Sequence, residues 1–303
     1  MVESMQTHCK PYTLHAVCLD DASFQNVSAL KLENVVPISF IDYEKTNSQL
    51  LEVKPKRSRI EYYFTLGPTV LQHILQINIE VDSLTYLDAD LYFFDSPEAI
   101  FEEAANSNVT IVSHKFNNRL KKFERYGKYN VAWITFVRNT EGIRCLNDWA
   151  KDCLDWCHDY VEGDKYGDQK YLDSWTIKYK GVCDLQHKGA NLAPWNFANY
   201  KITERDGKIY VDEQPLIFYH YAGLKQLDAH TFTTSANKYL FRLPKIMKQK
   251  IYLPFIKSLL SHLPEGKKLY TERRLLLNSD VIQTLKNSFY SARRWFFSDY
   301  IKF

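Results

Sequence analysis

The sequence predicts an α/β fold in which helices flank a mixed, mainly parallel sheet, followed by a C-terminal helical extension. Apolar runs of strand length alternate along most of the chain with segments of helical character. This alternation is typical of α/β proteins with a mainly parallel sheet. After residue 236 it ends, and basic amphipathic segments separated by Pro244, Pro254 and Pro264 follow. We therefore divide the chain into a body, residues 1–236, and a basic, aromatic extension, residues 237–303.

The predicted strands are short apolar runs, several of which end at an aspartate. They span residues 13–19, 35–41, 84–87, 109–112, 132–137 and 214–219. Asp20, Asp42 and Asp88 directly follow the first three of these runs.

The predicted helices lie between these strands. They span residues 57–75, 97–105, 142–158 and 168–175. In the first helix Leu66, Val70 and Ile74 recur on one side, and Pro68 is expected to kink or divide it. Ser96 is the expected N-cap of the second helix.

Charge is distributed unevenly along the chain, although its net value is only +3. Residues 238–303 contain 14 Lys and Arg against 4 Asp and Glu, whereas the first 237 residues contain 25 against 32. An acidic body without a reader motif argues against nucleic acid as a partner. The basic end, with Arg293, Arg294 and Trp295, suits the surface of an anionic bilayer. A helical lid packed on the body is the alternative.

The absence of a recognisable targeting signal and the cysteine usage predict a cytoplasmic setting. The N-terminus has no basic region leading into an apolar segment, and no run reaches the ~18 apolar residues that a spanning helix requires. The six cysteines lie scattered in apolar or helical contexts, which favours free thiols in a reducing compartment. Through its extension the protein is expected to reach the inner face of the cell membrane.

Asp88 and Asp90 follow a predicted strand and are separated by one residue. On an extended chain residues two apart point to the same side, so both carboxylates can converge on one hard cation. Mg²⁺ or Mn²⁺ held by carboxylates and completed by phosphate oxygens is the expected arrangement for a diphosphate ligand. Two exposed aspartates after a strand would have the same pattern. A phosphatase-like Asp-x-Asp nucleophile usually has Thr or Val two residues on, where this chain has Tyr92.

Five segments, taken in order, resemble those of bacterial GT-A glycosyltransferases similar to family 8. The segments are residues 86–94 (YLDADLYFF), 127–133 (GKYNVAW), 167–172 (GDQKYL), 192–196 (LAPWN) and 220–225 (HYAGLK). In that family the first binds the metal, the second approaches the donor sugar and the third lies beside the anomeric carbon. The fourth precedes the last strand, and the fifth closes over the diphosphate. The resemblance covers about residues 12–225.

The resemblance implies a GT-A fold, that is, a Rossmann-like nucleotide-diphospho-sugar transferase, and a role for each matched residue. Asp88, Asp90 and His220 would hold Mn²⁺ or Mg²⁺, and Gln169 and Asp168 would be the catalytic residues. The implied donor-binding residues are Arg59, Asn130, Gly223 and Lys225, and the acceptor-binding residues are Trp195, Asn196 and His114. Of these, His114 is chosen only from its position just past the strand at 109–112.

Most of these residues also have a structural explanation. His220 and Trp195 would fit a core, Asp168 a helix N-terminus, Asn130 a turn and Arg59 a solvated basic stretch.

The implied activity is transfer of a hexose-type sugar from a UDP-sugar to a surface-glycan or lipid-linked acceptor, with retention of configuration. Relatives that build lipopolysaccharide or lipid-linked glycans often carry a similar basic, aromatic C-terminus. GT-A proteins normally begin with a strand that contacts the base and ribose, and this strand is expected to be missing, because residues 1–8 resemble the helix that follows it. The alternative is therefore a degenerate sugar-nucleotide-binding or scaffold protein without turnover.

Overall fold

The computed structural model describes residues 1–263, 294 and 296–302, and it has a mixed α/β architecture with several small sheets. The chain begins with α1 (Val2–His8), β1 (Leu14–Cys18), α2 (Asp21–Ala29), β2 (Val35–Ser39), α3 (Phe40–Thr46) and α4 (Ser48–Val53). Strands β1 and β2 pair in parallel, with Leu14 opposite Val35. The Asp20 carboxylate accepts a hydrogen bond from Ser23 N and caps α2. The aspartate that follows β1 therefore starts a helix.

Helix α5 (Arg59–Ile77) begins at a capping box formed by Ser58 and Glu61. Ser58 Oγ accepts a hydrogen bond from Glu61 N, and the Glu61 carboxylate accepts one from Ser58 N. Leu66, Val70 and Ile74 are buried, as the helical spacing predicts. Pro68 lies inside the helix and does not divide it.

The central sheet has four strands, in the order β3 (Ser83–Leu87), β6 (Tyr129–Val137), β5 (Val109–Ser113) and β7 (Val182–Leu185). Strand β6 is antiparallel to β3 and to β5, while β5 and β7 are parallel. The prediction of a mixed arrangement is confirmed, but neighbouring strands are not mainly parallel as predicted, since two of the three neighbouring pairs are antiparallel. Strands β3, β5 and β7 run in the same direction. Strand β6 lies between β3 and β5 and runs in the opposite direction. An apolar run does not encode the direction of its neighbour.

Helices α6 (Glu98–Glu103), α7 (Thr140–Asp155) and α8 (Trp175–Lys178) accompany this sheet. Trp149 of α7 and Trp175 of α8 pack on Phe136 of β6 and are buried. The helix predicted over 168–175 begins later, as a 3₁₀ helix over Lys170–Ser174 that leads into α8.

Three small sheets complete the described strands. Strand β4 (Leu91–Phe93) pairs with β11 (Phe218–His220), and β8 (Ile202–Arg205), β9 (Lys208–Val211) and β10 (Gln214–Pro215) form a meander. The third sheet contains β12 (Lys225–Asp228), β13 (Thr231–Thr233) and β14 (Ile301–Lys302). The strand predicted over 214–219 is thus divided between two sheets.

The described part of the predicted extension contains a π-helical turn, Met247–Tyr252, and α9 (Leu253–Ser261). Met247, Ile251 and Ile256 are fully buried in the same apolar cluster as Tyr219 and Tyr221. The division of the chain after residue 236 stays a prediction.

No helix within residues 1–263, 294 and 296–302 is long and apolar enough to cross a membrane. All six cysteines are free thiols, as predicted. Residues 264–293, together with Trp295 and Phe303, lie outside the described residues, so the predicted bilayer-binding cluster around Arg293 is only partly described.

Candidate functional site

The pairing of β4 with β11 brings Asp88, Asp90 and His220 together. Asp88 and Asp90 lie in the turn between β3 and β4, and β4 is antiparallel to β11, so that Leu91 faces His220. The backbone O of Asp90 accepts a hydrogen bond from Tyr221 N (2.9 Å), and Leu192 O accepts one from His220 N (2.8 Å). The backbone therefore holds the turn against the end of β11.

The three side chains have the geometry of a metal-ligand set. His220 Nε2 lies 3.1 Å from Asp90 Oδ1 and 3.7 Å from Asp88 Oδ2. One ligand atom from each residue lies within 4.8 Å of the other two. Two carboxylates and one neutral imidazole are suitable ligands for a divalent cation such as Mn²⁺. The residues present therefore fit a divalent metal ion.

Asn130 fixes the orientation of the His220 ring. The Nδ1 atom of His220 lies 3.2 Å from Asn130 Oδ1, and both side chains are buried. With Nδ1–H donating to this amide oxygen, Nε2 is directed at the aspartates. Metal-binding histidines usually donate their second ring N–H to such an acceptor. Sequence reasoning placed Asn130 against the donor sugar and did not predict this contact.

Burial and the charges of the cluster shift the pKa values of His220 and Asp88. Burial would lower the pKa of His220, but the hydrogen bond to Asp90 and the charges of both aspartates raise it. Burial raises the pKa of Asp88, and the charge of Asp90 acts in the same direction. A divalent cation would offset the mutual repulsion of the two carboxylates.

A cavity of about 230 Å³ lies beside this cluster. It is lined by His114, Phe116, Phe123, Tyr126, Asn130, Tyr166, Gln169, Trp195, His220, Ala222 and Tyr239. Five of these are predicted site residues. The part of the chain that the structure describes contributes no Lys, Arg, Asp or Glu to this lining, and most of the lining side chains are aromatic. Sequence reasoning missed the aromatic wall, although Tyr126 and Tyr166 directly precede Gly127 and Gly167 of the quoted motifs.

Gln169 is held in the cavity wall by the neighbouring backbone. Its Nε2 donates a hydrogen bond to Tyr126 O (2.7 Å). Gly127 has a φ of +130°, and a Cβ atom there would lie 2.7 Å from Gln169 Cγ. Only glycine leaves room for this side chain.

Asp168 lies next to the aspartate cluster rather than in the cavity lining. Burial, reinforced by the charge of Asp88, raises the pKa of the Asp168 carboxyl to about 7. Its backbone O accepts a hydrogen bond from Trp149 Nε1 (2.8 Å). This contact attaches the start of the motif at residues 167–172 to α7.

His114 and Trp195 form one side of the cavity. His114 stacks on Phe116 at 4.8 Å between centroids and lies 5.1 Å from Trp195, whose ring in turn packs edge-on against His220 at 5.3 Å. Burial lowers the pKa of His114 to about 4, so its ring is neutral at pH 7. Aromatic and neutral groups thus reach up to the ligand cluster.

Besides Asp88, Asp90 and Asp168, four predicted site residues lie outside the cavity lining. Asn196 is fully buried, and its side chain bonds the backbone of Ala193, His114 and Asn191. Arg59, at the start of α5, is exposed and donates to Tyr63 Oη. The others are Gly223 and Lys225, which follow β11.

Comparison with known proteins identifies two relatives of the chain in Bacillus subtilis (strain 168). YfnD is 30% identical over 263 residues, covering 86% of this chain and 83% of YfnD, and YfnF is 33% identical over 219 residues, covering 69% and 71%. Both are described as uncharacterized proteins. No family model matches the chain. A crystal structure of mouse xyloside xylosyltransferase 1 in its apo form is similar at a TM-score of 0.46 and 14% identity, over 73% of this chain and 90% of the mouse chain. The identity and coverage of the two bacterial relatives show that the chain belongs to the family of YfnD and YfnF.

Proposed function

We propose that the protein is a metal-dependent glycosyltransferase that uses a nucleotide-diphospho-sugar donor. The observation that carries this proposal is the position of the Asp88, Asp90 and His220 cluster beside an uncharged, aromatic cavity. A divalent cation suits a diphosphate, and aromatic faces with a few polar groups suit a sugar ring. The five motifs that resemble GT-A glycosyltransferases supply the same assignment from the sequence.

Asp88, Asp90 and His220 would hold Mn²⁺ or Mg²⁺, which when bound neutralises negative charge on the leaving diphosphate. Asn130 orients His220 for this role through the Nδ1 contact. Gln169 donates a hydrogen bond to Tyr126 O, and its side chain occupies the space that a Cβ atom on residue 127 would need. It presents a neutral amide to the cavity. We assign it to the anomeric region of the donor sugar, where an amide oxygen stabilises developing positive charge in a retaining reaction.

The cavity lining supports a neutral, hexose-type sugar. Its aromatic rings can cover the apolar face of a pyranose, while Asn130, Gln169 and neutral His114 can bond hydroxyl groups. Among the described lining residues no Lys or Arg is present to pair with a carboxylate or phosphate on the sugar. We assign uridine as the base of the donor from the motif resemblance, and a surface glycan or lipid-linked acceptor on the same ground.

The proposal is tested by measuring UDP release from a panel of neutral and acidic UDP-sugars with Mn²⁺. We expect release from at least one neutral donor and its loss in Asp90→Ala. Asp155→Ala, which removes an exposed carboxylate at the end of α7, is the matched control and should behave like the wild type. Absence of metal-dependent binding and of release with every donor would overturn the proposal. Metal-dependent binding without release would instead support a degenerate sugar-nucleotide-binding protein.

We further propose a cytoplasmic protein whose basic extension binds the inner face of the membrane. Deleting the extension would expose the core around Met247 and Ile251, so charge replacement is the better test. Lys267, Lys268, Arg273, Arg274, Arg293 and Arg294 are replaced together by Gln. Sedimentation with anionic vesicles should fall in this variant, whereas equal sedimentation would contradict the membrane proposal.

A further inference from the structure

A short 3₁₀ helix, Lys121–Tyr126, contributes two aromatic side chains to the cavity and carries cations on its exposed side. Phe123 and Tyr126 line the cavity. Lys122 Nζ lies 5.6 Å from the Phe123 ring centroid, and the Arg125 guanidinium carbon lies 4.5 Å from the Tyr126 ring centroid. Both cations are exposed. The helix thus places aromatic rings in the cavity wall and cations on the outer side of the same rings.

Two further cations extend this edge of the cavity. Lys121 begins the helix, and Arg119 precedes it, with its guanidinium carbon 6.0 Å from the Phe241 ring centroid. Both side chains are exposed. We call Arg119, Lys121, Lys122 and Arg125 the basic rim.

The basic rim has no carboxylate partner among the described residues. Its neighbours Lys128 and Lys170 form ion pairs with Asp184 and Asp173, whereas no described carboxylate forms an ion pair with a rim cation. Glu124 is the one acidic residue between positions 119 and 126. Exposed cations without counter-charges produce a positive potential, which attracts an anionic ligand.

Hydrogen bonds hold the 3₁₀ helix in a fixed position relative to Gln169. Lys170 Nζ donates to Glu124 O (2.9 Å), and Gln169 Nε2 donates to Tyr126 O (2.7 Å). Leu120, between two of the rim cations, is buried. The proposed function assigns Gln169 to the anomeric region of the donor sugar, where the acceptor must arrive. The helix that carries the rim is therefore attached to the residue that marks this position.

The basic rim and the proposed metal ligands lie at different ends of the aromatic wall. His220 packs against Trp195 at 5.3 Å between centroids. Tyr239 packs against Trp195 at 6.1 Å and against Phe123 at 5.9 Å. Two rings thus lie in series between the metal ligand and the ring beside Lys122. A donor diphosphate bound at the metal leaves the rim to the acceptor.

We propose that the acceptor is a phosphate-bearing glycan whose phosphate binds the basic rim while its sugar enters the aromatic cavity. This inference rests on the proposed function and adds the charge of the acceptor to it. Lys and Arg side chains donate charge-assisted hydrogen bonds to phosphate oxygens. The described cavity lining contributes no Lys or Arg, so a phosphate is matched by charge at the rim and a neutral sugar inside.

Titration calorimetry with maltotetraose, and with maltotetraose that carries one phosphate monoester, tests the rim without requiring turnover. Both are titrated at a fixed excess of UDP and Mn²⁺, which occupy the donor end of the site. The wild type should bind the phosphorylated form about tenfold more tightly at low salt, and added salt should reduce this preference, because exposed charges are screened. Lys122→Gln/Arg125→Gln should abolish the preference.

Two further double variants separate the charge of the rim from other effects. Lys122→Arg/Arg125→Lys keeps both charges but changes the contact with Tyr126, and it should retain the preference. Lys31→Gln/Lys151→Gln removes the same charge at exposed lysines elsewhere and is the matched control. The ratio of the two affinities corrects for any change in the cavity itself, and thermal unfolding shows that each variant is folded.

Equal affinity of the wild type for the two oligosaccharides, or binding of neither, would overturn the phosphate-bearing acceptor and leave the glycosyltransferase proposal intact. A preference that persists in Lys122→Gln/Arg125→Gln would overturn the role of the rim. Loss of sedimentation with anionic vesicles in this variant, without a preference in the wild type, would assign the rim to a membrane surface instead. A preference that depends on the rim, in a protein that releases UDP from no donor, would overturn the proposed function and leave a binding site for phosphorylated glycans.

Discussion

His220 Nε2 lies 3.1 Å from Asp90 Oδ1, although the two residues belong to distant parts of the chain. The contact exists because β4 and β11 pair with Leu91 opposite His220, and because Tyr221 N donates to Asp90 O. Backbone hydrogen bonds thus set the relative position of the Asp90 and His220 side chains. This arrangement makes the consequences of several substitutions predictable.

Asn130→Ala should weaken Mn²⁺ binding by about 10- to 100-fold, the range measured when the partner of a metal-binding histidine is removed. The substitution removes the acceptor 3.2 Å from His220 Nδ1 but leaves all three proposed ligands in place. Isothermal titration with Mn²⁺ at pH 7.5 measures the effect. Asn130→Asp keeps an oxygen facing Nδ1 and should bind Mn²⁺ nearly as well as the wild type. Unaltered affinity in Asn130→Ala would exclude an orienting role.

Gly127→Ala should displace Gln169 and lower UDP release by about 100-fold, because misplacing a positioning group by about 1 Å can cost that much. The added Cβ would lie 2.7 Å from Gln169 Cγ, and the φ of +130° is unfavourable for alanine. Gly207→Ala is the control, since Gly207 also has a positive φ but no atom of the described residues within 4 Å of its Cβ position. UDP release and thermal midpoint are measured for both. Similar release in the two variants would contradict the proposed role of Gln169.

Glu61→Gln should destabilise the protein by about 2 kcal/mol at pH 7 and by less as the pH falls. Burial opposes ionisation, but hydrogen bonds from Ser58, Asp159 N and His158 lower the pKa of Glu61 to about 2. Because this folded-state pKa lies below the usual value of 4.5, the contribution is present above about pH 4.5 and is lost between there and pH 2.

Urea unfolding of the wild type and Glu61→Gln at pH 7 and pH 3 measures this pH dependence. Glu52→Gln is the control, since the Glu52 side chain is 74% exposed and should change stability little at either pH. A difference between wild type and Glu61→Gln that is independent of pH would contradict the assignment.

Asp299→Ala should destabilise the fold by about 2–4 kcal/mol, because the buried donors of Thr233, Thr234 and Asn237 would lose their common acceptor. Urea unfolding measures this loss. Asp228→Ala removes an exposed carboxylate from β12 and should cost much less. Equal destabilisation by the two substitutions would show that the Asp299 contacts contribute little.

Local patterns predicted the strands and helices well where apolar residues recur regularly within one element. The strand at Leu14–Cys18 and the helix at Arg59–Ile77 lie within two residues of their predicted ends. The direction of β6 was not predictable, because its apolar side chains would suit a parallel neighbour equally well. The strand at 214–219 was predicted as one element, although Pro215, which has no N–H to donate, lies where the pairing partner changes.

The sequence by itself determined the chemistry available to the site: the aspartate pair after a strand, the histidine after another, and the uncharged motif residues Asn130, Gln169 and Trp195. Only the tertiary structure decided which of these groups meet. In the folded chain Asn130 contacts His220, and the Asn196 side chain hydrogen-bonds the backbone. Aromatic residues such as Tyr239 form the cavity wall. The physical reason is that strand pairing and side-chain packing join residues far apart in the chain, whereas spacing along the chain reports only the neighbours within one element.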